Sequence, residues 1–396
     1  MPKLNIKFAG KNFINPYILA ASPCTDEVEF IDTAFEAGWA GAITKTTSIE
    51  GSVVDLAYPM ITGFNVGAEN LIAMGNIDLI SQYHIDDIEK RVKKLKKKWG
   101  DKRVVISSLM GTDKKSWQTV TKRLIDAGAD MIECSFSCPQ GSMGEDSGKM
   151  LAQSADATEK VTAWVKEAAG KTPVFIKITP MVTDIVEISQ RVKNGGADGV
   201  TASNTIQSLM GINIHTFEPN PSIHGKSTYS GLCGPAIKPI TLRVIAEISK
   251  GVGLPLMGTG GCSNWIDSVE FMSVGAGLVQ MCMAPMRYGF RIIDDLTLGM
   301  LYYLEEMGFD SPKDIIGKAL GNLVGHDELA RIKPKSHINT DLCIKCDECY
   351  IACHDGGHRA IELDENRLPK VDEDECVGCG LCKTVCPVQG CIEVRE

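Results

Sequence analysis

Between Tyr17 and Cys282 short apolar runs recur, with polar segments of helical period between them. The runs are Tyr17 to Ala21, Gly41 to Thr46, Val104 to Leu109, Met131 to Ser137, Val174 to Thr179, Gly199 to Ser203, Leu254 to Gly258 and Leu278 to Cys282. Each is nearly continuous in apolar residues, as strands of a parallel sheet covered on both faces are. The stretches between them, among them Trp117 to Ala127, Ala157 to Ala169 and Ile237 to Ile248, carry apolar residues at helical spacing. Lys90 to Lys98, the one dense basic run, follows the same rule with Val92, Leu95 and Trp99, and reads as the solvated face of an amphipathic helix. Eight such βα units predict an α/β fold of the closed (β/α)8 TIM-barrel kind, with its active site at the C-terminal strand ends. An open doubly wound sheet would need a Gly-x-Gly-x-x-Gly turn after an early strand; the first run leads instead into Ala21-Ser22-Pro23-Cys24.

Nine of the fifteen cysteines follow residue 342, so a second kind of domain is expected there. The barrel is expected over 1–324, a polar, proline-interrupted linker with Arg331, Lys333, Pro334 and Lys335 over 325–336, and the cysteine-rich domain over 337–396. Cys343, Cys346, Cys349 and Cys353 have the spacing C-x2-C-x2-C-x3-C, and Cys376, Cys379, Cys382 and Cys386 repeat it before Pro387. In ferredoxins with two [4Fe-4S] clusters, three close thiolates hold one cubane and the fourth crosses to the other. Cys343, Cys346 and Cys349 are therefore paired with Cys386, and Cys376, Cys379 and Cys382 with Cys353, in a ferredoxin-like domain. A tetrahedral zinc site would leave these quartets overfilled. Cys391 remains, and reads as a small buried hydrophobe beside a cluster.

Composition adds exclusions. With 44% hydrophobic and 23% charged residues the chain is that of a globular protein, and its net charge of -9 argues against nucleic acid as a partner. There is no basic region followed by a long apolar stretch at Met1 to Gly10, and no run of about 18 apolar residues, so neither a signal peptide nor a membrane span is expected. Many cysteines without an export signal suit a cytoplasmic, reducing location.

At Glu133-Cys134-Ser135-Phe136-Ser137-Cys138-Pro139, at Thr201-Ala202-Ser203-Asn204-Thr205 and at Tyr229 to Arg243 the chain resembles the dihydropyrimidine dehydrogenases. The similarity runs from Asn15 to Val394, and is nearest to the catalytic subunit of the two-subunit bacterial form. There an FMN barrel is fused to a ferredoxin domain, and a separate FAD subunit takes electrons from NAD(P)H. Class 1 dihydroorotate dehydrogenases are similar over the barrel but lack the fused clusters. The resemblance implies FMN contacts at Ala20, Ala21, Lys45, Thr46, Lys177, Gly260, Gly261, Cys282 and Met283. It implies pyrimidine contacts at Asn76, Ser135, Ser137, Asn204 and Thr205, and a partner subunit in a hetero-oligomer or a homodimer of the barrel. The family pattern is Asn-x-Ser-Cys-Pro, but Ser135 stands here in place of the asparagine, so either water fills the gap beside uracil or thymine or the ring the resemblance implies is another close cyclic ureide.

Chemistry supplies its own reason for Cys138. Reducing the 5,6 double bond of a pyrimidine needs a hydride on one carbon and a proton on its neighbour, and a thiol with a pKa near about 8.5 can give and retake that proton. The glycines at 141, 144 and 148 suit a mobile lid from Gln140 to Lys149 that carries Cys138. Lys45 and Lys177 each end an apolar run, where a cation near flavin N1 would favour the anionic reduced form. Gly258-Thr259-Gly260-Gly261 and Met281-Cys282-Met283-Ala284 occupy the places where barrels bind phosphate. Two other readings remain: dihydroorotate oxidation, disfavoured by the extra domain, and an electron carrier whose barrel is only a docking scaffold.

Overall fold

The computed structural model describes residues 2–49, 54, 56–67, 69–136 and 151–396. The chain forms two compact units, Met1–Asn322 and Leu323–Glu396.

All eight apolar runs become strands of one closed barrel: β1 Tyr17–Leu19, β2 Gly41–Thr47, β3 Val104–Leu109, β4 Met131–Ser135, β5 Val174–Lys177, β6 Gly199–Ala202, β7 Leu256–Thr259 and β8 Leu278–Met281. Neighbours pair parallel in chain order, and Val279 opposite Tyr17 closes the ring between β8 and β1. The helices α1 Val28–Ala37, α2 Ile85–Trp99, α3 Lys114–Asp126, α4 Ala155–Ala169, α5 Ile185–Asn194, α6 Lys238–Gly251 and α7 Trp265–Ser273 follow β1 to β7 in turn. After β8 come the short α8, Met283–Tyr288, and α9, Ile292–Glu306. In α2 Lys90, Lys93, Lys94, Lys97 and Lys98 are exposed and Arg91 and Lys96 half-buried, while Ile85, Ile88, Val92 and Leu95 are buried. Helix starts are fixed by short polar side chains: Asp113 accepts from Ser116 N at 2.6 Å, and Asp184 from Val186 N and Glu187 N, each at 2.9 Å. Among the described residues no helix is long and apolar enough to cross a membrane.

Two additions flank the barrel. A hairpin, Ile6–Phe8 with Lys11–Phe13, lies against its N-terminal end, where the Phe8 ring sits 5.4 Å from that of Phe175 near the start of β5. At the opposite end, insertions after β2 and β6 combine into a four-stranded antiparallel sheet, in the order Ile206–Ser208, Ser230–Cys233, Glu69–Asn76, Ile61–Val66.

The second unit has an internal repeat. Lys335–Ile338 pairs with Ile392–Arg395 and Ile361–Leu363 with Pro369–Val371, while Glu348–Gly356 and Leu381–Val385 are helical. Lys345 and Gly378, the third residues of the two cysteine motifs, both have positive φ, +60° and +71°. So do the fifth, Asp347 and Gly380, at +63° and +82°. Such turns curl the backbone around a centre and aim its N–H groups inward.

Candidate active site

The C-terminal strand ends surround a cavity of about 500 Å³, within the range of cofactor pockets. Ala20 and Ala21 enter from the end of β1, Lys45 and Thr46 from β2, Ser135 from β4 and Lys177 from β5. Asn204 and Thr205 follow β6, Gly260 and Gly261 follow β7, Cys282 and Met283 follow β8, and Asn76 comes from the inserted sheet. Residues far apart in sequence thus meet because a barrel brings every strand's C-terminal end to one rim. Cys138, Ser137 and the glycine-rich stretch from Gln140 to Lys149 lie outside the described residues.

The two lysines differ in surroundings. Lys45 Nζ is 2.9 Å from Asp78 Oδ1 and 3.8 Å from Asp26 Oδ2, so two carboxylates share its charge. Burial pushes the Asp26 carboxyl above the usual range, against the opposing pull of the Ser81 hydroxyl and the Lys45 and Arg91 cations. Among the described residues Lys177 Nζ has only Glu133 Oε1 as a carboxylate neighbour, at 3.9 Å, beyond hydrogen-bond reach. Asp78 also lines the cavity, yet the sequence did not point to it: it follows the inserted strand Glu69–Asn76, where neither period nor motif marks a carboxylate.

The turn after β7 needs its glycines. Gly260 and Gly261 have φ of +121° and +95°, and a β-carbon on Gly261 would stand 2.6 Å from the backbone nitrogen of Lys238 at the start of α6. The Lys238 ammonium does not enter the cavity's charge balance, being held by Asp267 and Glu270, each at 2.7 Å. Cys282 is held above an ordinary thiol's pKa by burial, with the Lys177 cation pulling the other way. Asn76 Nδ2 donates to Gly231 O at 2.9 Å across the inserted sheet, and Asn204 Oδ1 accepts from Thr205 N at 2.8 Å. These bonds fix both amides at the wall. Gly231 has no room for a side chain either, since a β-carbon there would lie 2.4 Å from Thr205 Oγ1.

Cys134 neighbours Glu133 on β4 and so faces the other side of the strand. It is fully buried, does not line the cavity, and burial, with Glu133 acting in the same sense, holds its thiol protonated well above the usual range.

In the second unit two small hollows are ringed by thiols. One is lined by Cys343, Cys346, Cys349 and Cys386, and the other by Cys353, Cys376, Cys379 and Cys382. Each ring draws three thiols from one motif and the fourth from the other. Gly378 permits the second turn, because a β-carbon there would strike Pro334 O at 2.1 Å. Ser336 Oγ lies 3.1 Å from Cys382 Sγ, and Lys345 N donates to Cys343 Sγ at 3.4 Å. Cys391 is buried and lines the first hollow as a fifth thiol, outside both motifs, with its sulfur 3.5 Å from Asn339 O.

The family described as dihydroorotate dehydrogenase matches residues 3–303, and that described as 4Fe-4S dicluster domain matches 336–394. The chain is 37% identical over 403 aligned positions to the NAD-dependent dihydropyrimidine dehydrogenase subunit PreA of Escherichia coli (strain K12), covering 99% of this chain and 95% of that protein. It is 29% identical to the chloroplastic dihydropyrimidine dehydrogenase (NADP(+)) of Arabidopsis thaliana, over 83% and 80% of the two chains. To the catalytic subunit of the dihydroorotate dehydrogenase B (NAD(+)) of Pyrococcus horikoshii it is 31% identical, over 80% and 98%.

Proposed function

The chain belongs to the dihydroorotate dehydrogenase family, carries a 4Fe-4S dicluster domain behind its barrel and is an oxidoreductase acting on CH–CH bonds; from that premise we propose that it reversibly reduces the 5,6 double bond of uracil, thymine or a close cyclic ureide. The observation that carries this is the convergence on one cavity of thirteen residues, from the ends of seven strands and the inserted sheet, that suit a flavin and a pyrimidine edge. When bound, FMN supplies the hydride chemistry and two [4Fe-4S] clusters supply one-electron transfer.

The cavity's residues fit such a group. Its volume is adequate, the backbone after β7 is bare enough to approach a phosphate at Gly260 and Gly261, and Lys177 presents a cation that no carboxylate among the described residues contacts directly. Ala20, Ala21, Thr46, Cys282 and Met283 complete that wall. Asn76, Ser135, Ser137, Asn204 and Thr205 hold the pyrimidine edge, where amides and hydroxyls meet its alternating donors and acceptors. The Cys138 thiol gives its proton to one ring carbon in reduction and, as thiolate, takes it back in oxidation. The two rings of thiols fit a cluster each, with crossed fourth ligands. Electrons reach them from an FAD-binding subunit that oxidises NAD(P)H. The relative named as a subunit of an NAD-dependent enzyme supports that division of labour.

The test is turnover of the purified chain with reduced viologen against pyrimidines and hydantoins, repeated with Cys138→Ala and Cys134→Ala at matched FMN content. Uracil or thymine should turn over; Cys138→Ala should lose about 10² to 10⁴ in rate, and Cys134→Ala little. A chain that turns over dihydroorotate but no pyrimidine base, or one that loses more with Cys134→Ala, would refute the reading.

A further inference from the structure

Glu133 belongs to the layer of side chains that fills the barrel. Its carboxylate is fully buried, and Oε2 accepts from Thr201 Oγ1 and from Gln280 Nε2, each at 2.8 Å. These partners sit on β6 and β8, which do not adjoin β4, so the bonds cross the lumen. Among the described residues Oε1 has no hydrogen-bond partner, and the cation near it is Lys177 Nζ, at 3.9 Å. A carboxylate out of water is costly unless an opposite charge lies near, and a bare oxygen adds to that cost.

Lys177 also lines the cavity, so Glu133 stands behind the one of the cavity's two lysines whose ammonium touches no carboxylate directly among the described residues. We propose that Glu133 is a positioning residue for the reaction: from inside the barrel it draws on the Lys177 ammonium at the cavity wall, and its charge sets how readily a flavin held there is reduced. The inference rests on the flavin reading above. In a buried site a negative charge opposes the arrival of electrons and a positive one favours it, each only weakly screened by salt. The Glu133–Lys177 pair therefore adds little net charge to its part of the cavity wall, where either charge alone would bias it.

The experiment is a spectroelectrochemical titration of the FMN-loaded protein. Glu133→Gln keeps the shape and an acceptor for Thr201 but removes the charge. It should raise the flavin potential by roughly a tenfold change in the reduction equilibrium, about 30 mV for a two-electron couple. Lys177→Gln should lower it, and Thr201→Val, which removes a hydrogen bond and no charge, should leave it near wild type. If Glu133→Gln does not fold, the double variant with Lys177→Gln removes both charges together and should recover a potential closer to wild type than Lys177→Gln alone. An unmoved potential in Glu133→Gln, a shift as large in Thr201→Val, or no recovery in the double variant would overturn the inference while leaving FMN bound. Wild-type protein that releases no FMN on denaturation would overturn the flavin reading and this inference with it.

Discussion

Gly261→Ala would place a methyl carbon 2.6 Å from the Lys238 backbone nitrogen, at a residue whose φ is +95°. Two costs follow. A left-handed backbone costs an L-residue about 1 to 2 kcal/mol, and a contact this short against main chain forces a shift that typically costs about 1 to 3 kcal/mol. The start of α6 cannot yield as a side-chain tip would, so both apply, and the expected loss is about 2 to 5 kcal/mol. With an unfolding entropy of about 2.1 cal/mol/K per residue, a unit ending at Asn322 loses roughly 1.5 °C per kcal/mol, which gives about 3 to 7 °C in Tm. Relief comes only by moving the turn away from α6, and the turn's backbone is what would face a flavin phosphate. FMN content should therefore fall with Tm.

The measurements are scanning calorimetry and FMN released per chain. Gly289→Ala is the control. Its φ is +78° but nothing lies within 4 Å of the added carbon, and it lies outside the cavity lining, so it should show strain alone and keep its FMN. Wild-type Tm and FMN in Gly261→Ala would refute the argument. Equal FMN loss in both variants would mean that strain, not the close approach of backbone to anion, governs retention.

Anaerobically prepared protein should contain about eight irons and about eight acid-labile sulfides per chain, as two cubanes require; half of either would remove one cluster. Ser336→Ala should lower the potential of one cluster only in an EPR-monitored titration, because the hydroxyl sits 3.1 Å from Cys382 Sγ and donors to a ligand sulfur favour the reduced state; equal shifts in both clusters, or none, would contradict this. Burial, with Cys282 adding to it, pushes the Cys24 thiol up to about 12, so only about one in 10⁴ is thiolate at pH 8 and native protein should resist iodoacetamide there. Rapid alkylation of the Cys24 peptide would refute that environment. The chain alone should oxidise NADH at a negligible rate while turning over pyrimidines with viologen; brisk NADH turnover without a partner would end the two-subunit reading.

The barrel was legible because strands covered on both faces leave uninterrupted apolar runs, and each of the eight lies on a strand. The inserted sheet was not. Ile61–Val66 is largely exposed and Ile206–Ser208 is three residues long, so neither carries a period that distinguishes strand from loop. The cysteine motifs could be read because ligand spacing is itself the signal. The neighbours of the lysines could not: Asp78 reaches Lys45 across a 33-residue separation, and Glu133 reaches Lys177 across adjacent strands, and such pairs are set by register rather than by local pattern.

The two halves of the second unit follow one backbone path with different chemistry, which bears on how electrons would pass between them. Around Cys376 and Cys382 the path uses Gly378 and Gly380 at its left-handed turns, and the Ser336 hydroxyl and the Lys335 ammonium lie close, the latter donating to Cys376 O at 2.6 Å. Around Cys343 and Cys349 the same turns are made by Lys345 and Asp347, at a strain cost of about 1 to 2 kcal/mol each for an L-residue. Arg367 pairs with Asp347 there, which takes up part of the carboxylate's charge. Lys345, Asp347 and Arg367 all line the first hollow, so two cations there outweigh the one carboxylate and favour added electrons. A hydroxyl and an ammonium at the second favour them. Were a cluster held by each ring of thiols, both would be reduced in cationic surroundings, and the Ser336 hydroxyl beside Cys382 would be the group that sets one potential apart from the other.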